Sequence, residues 1–406
     1  MVQTAVLGYG TVGSGVVKVI DTNHDSILAK AGVDLQVKYI LDLREFPGDP
    51  NAQKVVHDVE VILQDPEVRV VVETMGGVEP AFTFTKRALM AGKSVCTSNK
   101  ELVATHGTEL LALAREHQVS YLFEASCGGG IPIIRPLRTS LCADVIDEVA
   151  GILNGTTNYI LTKMIDEGLE FDEVLKDAQQ KGYAERNPEA DVEGHDACRK
   201  IAILSSLAYG QRVDFRDVYT EGITKITSAE IRYAKTMGKT IKLLALSRKE
   251  EDQVLAMVAP HLVSANDPLF AVNGVFNAIF VHGNMLGDAM FYGQGAGKEA
   301  TASAVVGDVI EEAQTLGRTV QSEWSKEKLV LAELSDTKKR YFVRVKGAVS
   351  EATAITAAFG ATETVDAGLD GEFGFLTGRM TEKEYQACAD KTEGILSMLR
   401  VRRYGR

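Results

Sequence analysis

The sequence predicts an α/β fold: a Rossmann-like parallel-sheet domain, an α+β second domain, and a small C-terminal α+β module. Three observations lead there. Strand-like and helix-like segments alternate over about the first 130 residues, a pattern that closes as a parallel sheet with helices on both faces. A Gly8-x-Gly10-x-x-Gly13 string lies between the first strand and the first helix. The chain has 406 residues, more than one ordinary core holds, so two or three domains are expected.

The elements follow in order. Ala5–Leu7 is a short apolar strand that runs into glycines, and a helix spans Thr11 to about Ala31. Leu35–Leu41 and the β-branched run Val68–Val72 are the next strands. Pro80–Ala91 reads as a helix stopped by Gly92, Ser94–Thr97 as a strand, Asn99–His117 as a helix and Val119–Phe123 as a strand. Beyond Ile134 the pattern changes. Val145–Leu153 reads as a strand, followed by helices at Thr156–Glu167, Phe171–Lys181 and Gly194–Tyr209. Val254–Val263 and Phe276–His282 are strands, antiparallel by expectation, and Thr301–Leu316 is a helix that returns to pack on the first domain. After a polar stretch around Ser335–Lys339 come a strand at Tyr341–Val345, a helix at Thr353–Phe359, a strand at Gly374–Thr377 and a helix at Thr381–Leu399. The expected divisions are 1–133 (with the return helix at about 301–330), 134–300 and 340–406.

Composition excludes several classes of function. A formal net charge of −12 opposes non-specific nucleic-acid binding, which needs surplus Lys and Arg. The basic residues Arg400, Arg402, Arg403 and Arg406 form a short tail, expected to be solvated. Five scattered cysteines without a C-x-x-C pair fit a reducing cytoplasm rather than a disulfide or zinc framework. The seven histidines show no ligand spacing. No apolar run approaches the roughly 20 residues that span a bilayer. Nothing at the N-terminus reads as a signal peptide, so the expectation is a cytoplasmic protein without membrane partners.

The glycine string has a physical reading. Gly8 permits a tight turn, Gly10 lets the backbone approach a pyrophosphate, and Gly13 allows close packing of the helix. Tyr9, Thr11 and Val12 lie between these glycines and are expected to share the cofactor site. The helix N-terminus offers unpaired N–H groups to phosphate. The second strand ends in Asp42-Leu43-Arg44. An acid there binds a ribose 2′-OH and an arginine a 2′-phosphate, so NAD and NADP both remain open. Thr74 and the pair Gly76-Gly77 follow the third strand, where a loop passes a cofactor or simply turns.

Two further stretches carry chemistry. Thr97-Ser98-Asn99-Lys100 places a lysine at a helix start, a position the helix dipole disfavours for a cation. Residues 178–200 form a glycine- and proline-punctuated loop leading into a helix, with Glu185 and Asp191 in the loop and Asp196 and Lys200 at i, i+4. Carboxylates there suit an ammonium group, and Lys200 suits general acid catalysis at a carbonyl oxygen. Spacing alone favours the plainer reading, an exposed Asp–Lys helix pair worth about 0.2–0.5 kcal/mol.

This stretch resembles the signature of the homoserine dehydrogenase family at Ala178, Gly182, Tyr183, Ala184, Asn187, Pro188, Asp191, Val192, Gly194, Asp196 and Lys200. Thr97–Lys100, the glycine-rich loop Glu124–Pro132, the block Gly151–Leu161 and the Gly293–Gly297 block with Thr301 resemble other family segments, over about residues 4 to 320. The resemblance implies NAD(P)-dependent interconversion of L-homoserine and L-aspartate 4-semialdehyde, in threonine, methionine and isoleucine biosynthesis. It implies that Lys200 and Lys100 are catalytic, and that Glu185, Asp191 and Asp196 bind substrate. Ser98, Lys100, Gly182, Gly295 and Gly297 would join Gly8, Tyr9, Gly10, Thr11, Val12, Gly13, Asp42, Arg44 and Thr74 around NADP or NAD. Glu124 and the carbonyls of Cys127, Gly129 and Ile131 would hold a monovalent cation, sodium first, with Cys127 standing where relatives carry a β-branched or small residue. A homodimer or homotetramer formed through the substrate domain is also implied. The C-terminal module resembles the regulatory ACT domain of many relatives, although its turn Val345–Ser350 lacks the proline usual there. The alternatives are a phosphorylating semialdehyde dehydrogenase with Cys127 as nucleophile and a non-catalytic NAD(P)-binding sensor.

Overall fold

The computed structural model describes residues 1–320, 324–361 and 363–405. The chain forms two compact units. One comprises residues 1–146, 202–214 and 291–329, and the other 147–201, 215–290 and 330–406.

The N-terminal part contains β1 (Val2–Leu7), α1 (Thr11–Ala31), β2 (Leu35–Leu41), β3 (Val55–Val56), α2 (Val59–Gln64), β4 (Val68–Glu73), α3 (Ala81–Met90), β5 (Ser94–Thr97), α4 (Lys100–Glu116), β6 (Tyr121–Leu122) and α5 (Ile134–Arg138). The six strands pair in parallel in the order β3-β2-β1-β4-β5-β6. Parallel sheets are covered on both faces, which explains the β-branched run: Val70, Val71 and Val72 are fully buried. The strand order reverses between β1 and β4, so the crevice at their carboxyl ends is the place where this topology binds a ligand. Gly8 follows β1 and Thr74 follows β4. Asn99 caps α4 by accepting the Leu102 amide, which fixes where that helix starts.

The chain continues through β7 (Ile146–Ile152), α6 (Gly155–Glu167), α7 (Phe171–Gln180), α8 (Glu189–Val192), α9 (His195–Tyr209), β8 (Gln211–Arg212), β9 (Tyr219–Thr220), α10 (Ser228–Thr236), β10 (Lys239–Glu250), β11 (Gln253–Ser264), β12 (Phe276–Gly283) and β13 (Gly287–Gln294). Then follow α11 (Lys298–Gln314), β14 (Ser325–Lys328), β15 (Arg340–Lys346), α12 (Ala352–Thr356), β16 (Glu363–Val365), β17 (Glu372–Leu376), α13 (Glu382–Ala389) and β18 (Ile395–Val401). One mixed sheet runs β13-β12-β7-β10-β11-β18-β15-β17-β16. The hairpin β10–β11 pairs antiparallel along its whole length, and β18 continues the sheet in parallel beside β11. The last four strands are antiparallel where they pair, in the order β18-β15-β17-β16. With α12 and α13 they form a β-α-β-β-α-β unit with its own core of Tyr341, Val343, Phe359, Phe373 and Phe375. Helix α11 shares the core of the first unit: Ala302, Val305 and Val309 pack with Val16, Val17 and Ile20.

Three expectations need correction. The helix expected over Thr381–Leu399 is instead α13 followed by the strand β18. The capping box of Thr381 and Glu384 starts the helix as expected, but Gly394 (φ 84°) turns the chain into a strand that β15 and β11 pair on either side. The return helix ends at Gln314, well short of 330; residues 321–323 of that span lie outside the described residues. The basic tail is solvated only in part, at Arg403. Arg400 and Arg402 are buried, Arg400 paired with Glu221 and Glu382, and Arg402 with Glu148 and Asp267. Arg406 lies outside the described residues.

Candidate active site

In the first unit, the turn after β1 is built by its glycines. Gly8 has φ 92°, and a Cβ on Gly13 would lie 1.9 Å from the Gly8 carbonyl oxygen. The Thr74 hydroxyl is 3.0 Å from both the Leu7 and Gly8 carbonyls and braces the turn. Gly10 is the N-cap of α1, with no side chain competing for the first helical amides. A cleft of ≈ 710 Å³ lies alongside, lined by Gly8, Gly10, Asp42, Arg44, His57 and Thr74 among others. Asp42 accepts the Tyr9 amide at 2.8 Å and the Arg44 amide, Nε and Nη2 at 2.9–3.0 Å. The Arg44 guanidinium holds this carboxyl far below its usual range. Ser98, Lys100, Tyr9, Thr11 and Val12 lie in this unit on the same sheet edge and helix starts. Gly295 and Gly297 precede α11; a Cβ on Gly129 would lie 2.5 Å from the Gly295 carbonyl, so these two glycine loops meet backbone to backbone.

The glycine-rich loop from Glu124 to Pro132 lies in the same unit. Glu124 is buried, and its carboxylate accepts the amides of Ile133 (2.6 Å), Ile134 (2.8 Å) and Arg135 (2.7 Å). That carboxylate serves the chain turn into α5. A cation here would draw on backbone carbonyls, which the left-handed Gly128 (φ 72°) and Gly129 (φ 56°) reorient. Such an oxygen-rich donor set suits a hard ion. Among the described residues, no group of three or more His, Cys, Asp or Glu side chains is placed to hold a metal. Cys127 is fully buried, so its thiol is shielded from a substrate.

The second unit gathers the signature residues. Lys200 donates to Asp196 Oδ2 at 2.8 Å and to the Leu153 carbonyl at 2.7 Å, with only 10% of its side chain exposed. Asn154 joins the group: its Nδ2 donates to Asp191 at 2.7 Å and to Asp196 at 3.0 Å, while its Oδ1 caps α6 at Thr157. Burial, then the neighbouring Asp196, raises the Asp191 pKa, with Asn154 and Lys200 opposing. The i, i+4 pair is therefore a buried ion pair, and the exposed-pair alternative is excluded. Glu185 and Gly182 are exposed on the preceding loop; the Glu185 carbonyl accepts from Gln179 at 3.1 Å.

A family model described as homoserine dehydrogenase, NAD binding domain, matches residues 8–124, and one described as homoserine dehydrogenase matches residues 132–310. The homoserine dehydrogenase of Bacillus subtilis (strain 168) is 44% identical over 313 residues, covering 76% of this chain and 72% of that protein. This chain belongs to the homoserine dehydrogenase family. The crystal structure of a homoserine dehydrogenase from Thiobacillus denitrificans superposes with a TM-score of 0.91 at 33% identity, covering 100% of this chain and 99% of that one. A hyperthermophilic archaeal homoserine dehydrogenase in complex with NADPH matches with a TM-score of 0.66 at 28% identity, covering 77% and 97%. The protein is thus an NAD(P)-dependent oxidoreductase, and neither the phosphorylating alternative nor the non-catalytic sensor is favoured. Among the described residues, no helix is long and apolar enough to cross a membrane.

Two residues of this chain are not legible in the sequence alone. Asn154 lies in a family-like block that suggests no role for it, yet it links both carboxylates of the cluster. Its place directly before α6 is the available signal, since Asn is a preferred cap. Glu73, at the end of β4, is fully buried; it accepts the Thr97 hydroxyl at 2.6 Å and the Met75 amide at 2.7 Å. It ties the loop after β4 to the Thr97–Lys100 segment. A glutamate closing a β-branched run gives no warning of burial.

Proposed function

We propose that Lys200 gives and takes the proton at the C4 oxygen as L-homoserine and L-aspartate 4-semialdehyde interconvert. The bound nicotinamide supplies the hydride donor or acceptor. The observation that carries this reading is the burial of Lys200 between two fixed acceptors, the Leu153 carbonyl and Asp196. That geometry points the ammonium group and limits its exchange with water. Asp191 and Asp196, bridged by one amide beside Lys200, are a pair of acidic groups suited to a substrate ammonium, with Glu185 on the adjacent loop as a further contact. Lys100 assists from the start of α4, and Gly182 contacts cofactor or substrate.

The dinucleotide lies along Gly8–Gly13, with Thr74, Ser98, Gly295 and Gly297 around it, and residues 1–133 with the return helix form its domain. NADP is the coenzyme this crevice favours. The Asp42 carboxylate already receives three donors from Arg44 and one from Tyr9, whereas the Arg44 side chain is 62% exposed beside the cleft. In a spectrophotometric assay with L-homoserine, turnover is expected with both coenzymes and faster with NADP. Arg44→Ala should lower kcat/KM for NADP by about ten- to a hundredfold, the loss of one or two charge-assisted hydrogen bonds, and change NAD turnover far less. Absence of turnover with either coenzyme sinks the assignment; equal losses with both sink only the coenzyme preference.

The loop Glu124–Ile131 binds a monovalent cation, sodium first, through Glu124 and the carbonyls of Cys127, Gly129 and Ile131. Replacing sodium and potassium by tetramethylammonium is expected to lower both turnover and the thermal midpoint. Identical melting in all three salts refutes a bound ion.

The C-terminal β-α-β-β-α-β unit is ACT-like and regulatory, and the enzyme is a homodimer. The edge strand β13 and its turn expose Met285, Leu286, Met290 and Tyr292, an apolar edge that a second copy covers.

A further inference from the structure

Where β18 joins the hairpin β10–β11 in the second unit, a pocket of ≈ 390 Å³ is lined by fourteen residues, of which eight are Lys or Arg and none is Asp or Glu. The chain as a whole carries a net charge of −12, so composition does not account for this cluster. Lys239 comes from β10, Lys339 and Arg340 from the start of β15, Arg379 from the turn before α13, and Arg402 and Arg403 from the segment after β18. Four separate stretches of chain thus deliver cations to one place, and like charges held together cost free energy unless an anion joins them.

The acids close to the lining are already engaged. Asp267 accepts from Arg402 Nε at 3.2 Å, Glu148 pairs with Arg402 and Arg248, and Glu250 pairs with Arg248. The Arg402 side chain is only 1% exposed, and among the described residues its Nη1 has no hydrogen-bond partner. A buried guanidinium nitrogen without an acceptor calls for one, and a bound anion or an ordered water supplies it. Other lining cations turn to neutral oxygens: Lys239 to the Ser264 hydroxyl at 2.7 Å, Lys339 to the Thr337 hydroxyl, and Arg379 to the Lys338 carbonyl at 3.4 Å. Burial, with Arg400 and Arg248 adding to it and Glu382 and Glu250 opposing, lowers the Lys339 pKa to about 8. The buried His261 in the same wall stands neutral, its pKa lowered to about 3 by burial and the surrounding cations.

We propose that this pocket is a binding site for a small metabolite carrying a phosphoryl group, separate from the dinucleotide crevice. Several guanidiniums around a confined volume match the tetrahedral, multiply charged oxygens of a phosphate ester or diphosphate. The volume admits a small molecule and excludes a macromolecular chain. Because the lining joins the β10–β11 hairpin to the C-terminal unit, occupancy ties the two together.

The test is calorimetric titration of the full-length protein with inorganic pyrophosphate, in the presence of saturating NADP so that the cradle at Gly8–Gly13 is filled. One equivalent is expected to bind saturably at physiological salt. The double variant Arg340→Gln/Arg379→Gln, which changes a half-buried and an exposed side chain, should weaken it by at least about tenfold, with dehydrogenase turnover unchanged. Arg403→Gln, at an exposed position, gives an independent and smaller loss if the double variant melts early. Absence of saturable binding at millimolar pyrophosphate overturns the proposal, as does unchanged affinity in these variants. Turnover is read separately, so failure here leaves the dehydrogenase assignment standing.

Discussion

Replacing Lys200 by methionine is expected to lower kcat by about 10²–10⁴-fold, the range that positioned acid–base groups contribute. The KM for coenzyme should move little, because the glycine cradle belongs to other residues. Methionine keeps the unbranched shape but leaves Asp196 buried without its cation, at a cost of about 3–5 kcal/mol if nothing relaxes. Asn154 still donates to Asp196 and softens that cost. A fall in thermal midpoint therefore accompanies the loss of activity and confounds a single variant. Lys200→Arg resolves this. The guanidinium retains the charge beside Asp196, so the fold should hold, yet it does not give up a proton at working pH. Loss of kcat in both variants, with near-parental melting in the arginine variant, is the expected pattern. Turnover by Lys200→Arg at the parental rate would falsify a proton-transfer role and leave Lys200 a structural cation.

The difference between what is legible in the sequence and what is not lies in the range of the interactions. Val68–Val72 and the Gly8–Gly13 string announce themselves, because a strand buried on both faces and a turn that excludes Cβ atoms each leave a local mark. The strand β10 does not. Its sequence, Lys239–Glu250, mixes lysines into an apolar run, and Lys242 is fully buried because Asn158, Asn273 and the Val272 carbonyl, all distant in sequence, accept from it. The strand β18 fails in the same way. Ile395–Val401 suits a helix or a strand by periodicity, and only pairing with β15 and β11 decides. Arg400 and Arg402 read as a solvated tail until Glu221, Glu382, Glu148 and Asp267 arrive from elsewhere in the chain. At the site, Asp196 and Lys200 are visible as a pair one helical turn apart. Their burial is not, since it depends on Leu153 and Asn154 at the end of β7.

Gly13→Ala is expected to be the most damaging single-methyl change in the dinucleotide crevice. Its Cβ would stand 1.9 Å from the Gly8 carbonyl oxygen and 2.8 Å from the Thr74 hydroxyl, distances no side chain tolerates. Both neighbours are fixed. The Gly8 carbonyl is backbone, and the Thr74 hydroxyl is held at 3.0 Å from the Leu7 and Gly8 carbonyls. Relief requires the β1 turn to move off the N-terminus of α1, which costs about 1–3 kcal/mol or more and misaligns the amides that face the pyrophosphate. A lower thermal midpoint and a coenzyme dissociation constant raised by at least about tenfold should appear together. Gly10→Ala separates fold from ligand. Gly10 has φ −83°, and a Cβ added there would meet nothing within 4 Å, so the apoprotein should melt as the parent does. Its methyl instead enters the space through which the pyrophosphate approaches, and coenzyme binding should weaken while stability holds. Parental coenzyme affinity in Gly10→Ala would mean that the dinucleotide does not pass over this turn. Tight binding by a folded Gly13→Ala would mean that the turn has a second arrangement, and the close contact with Gly8 would lose its role.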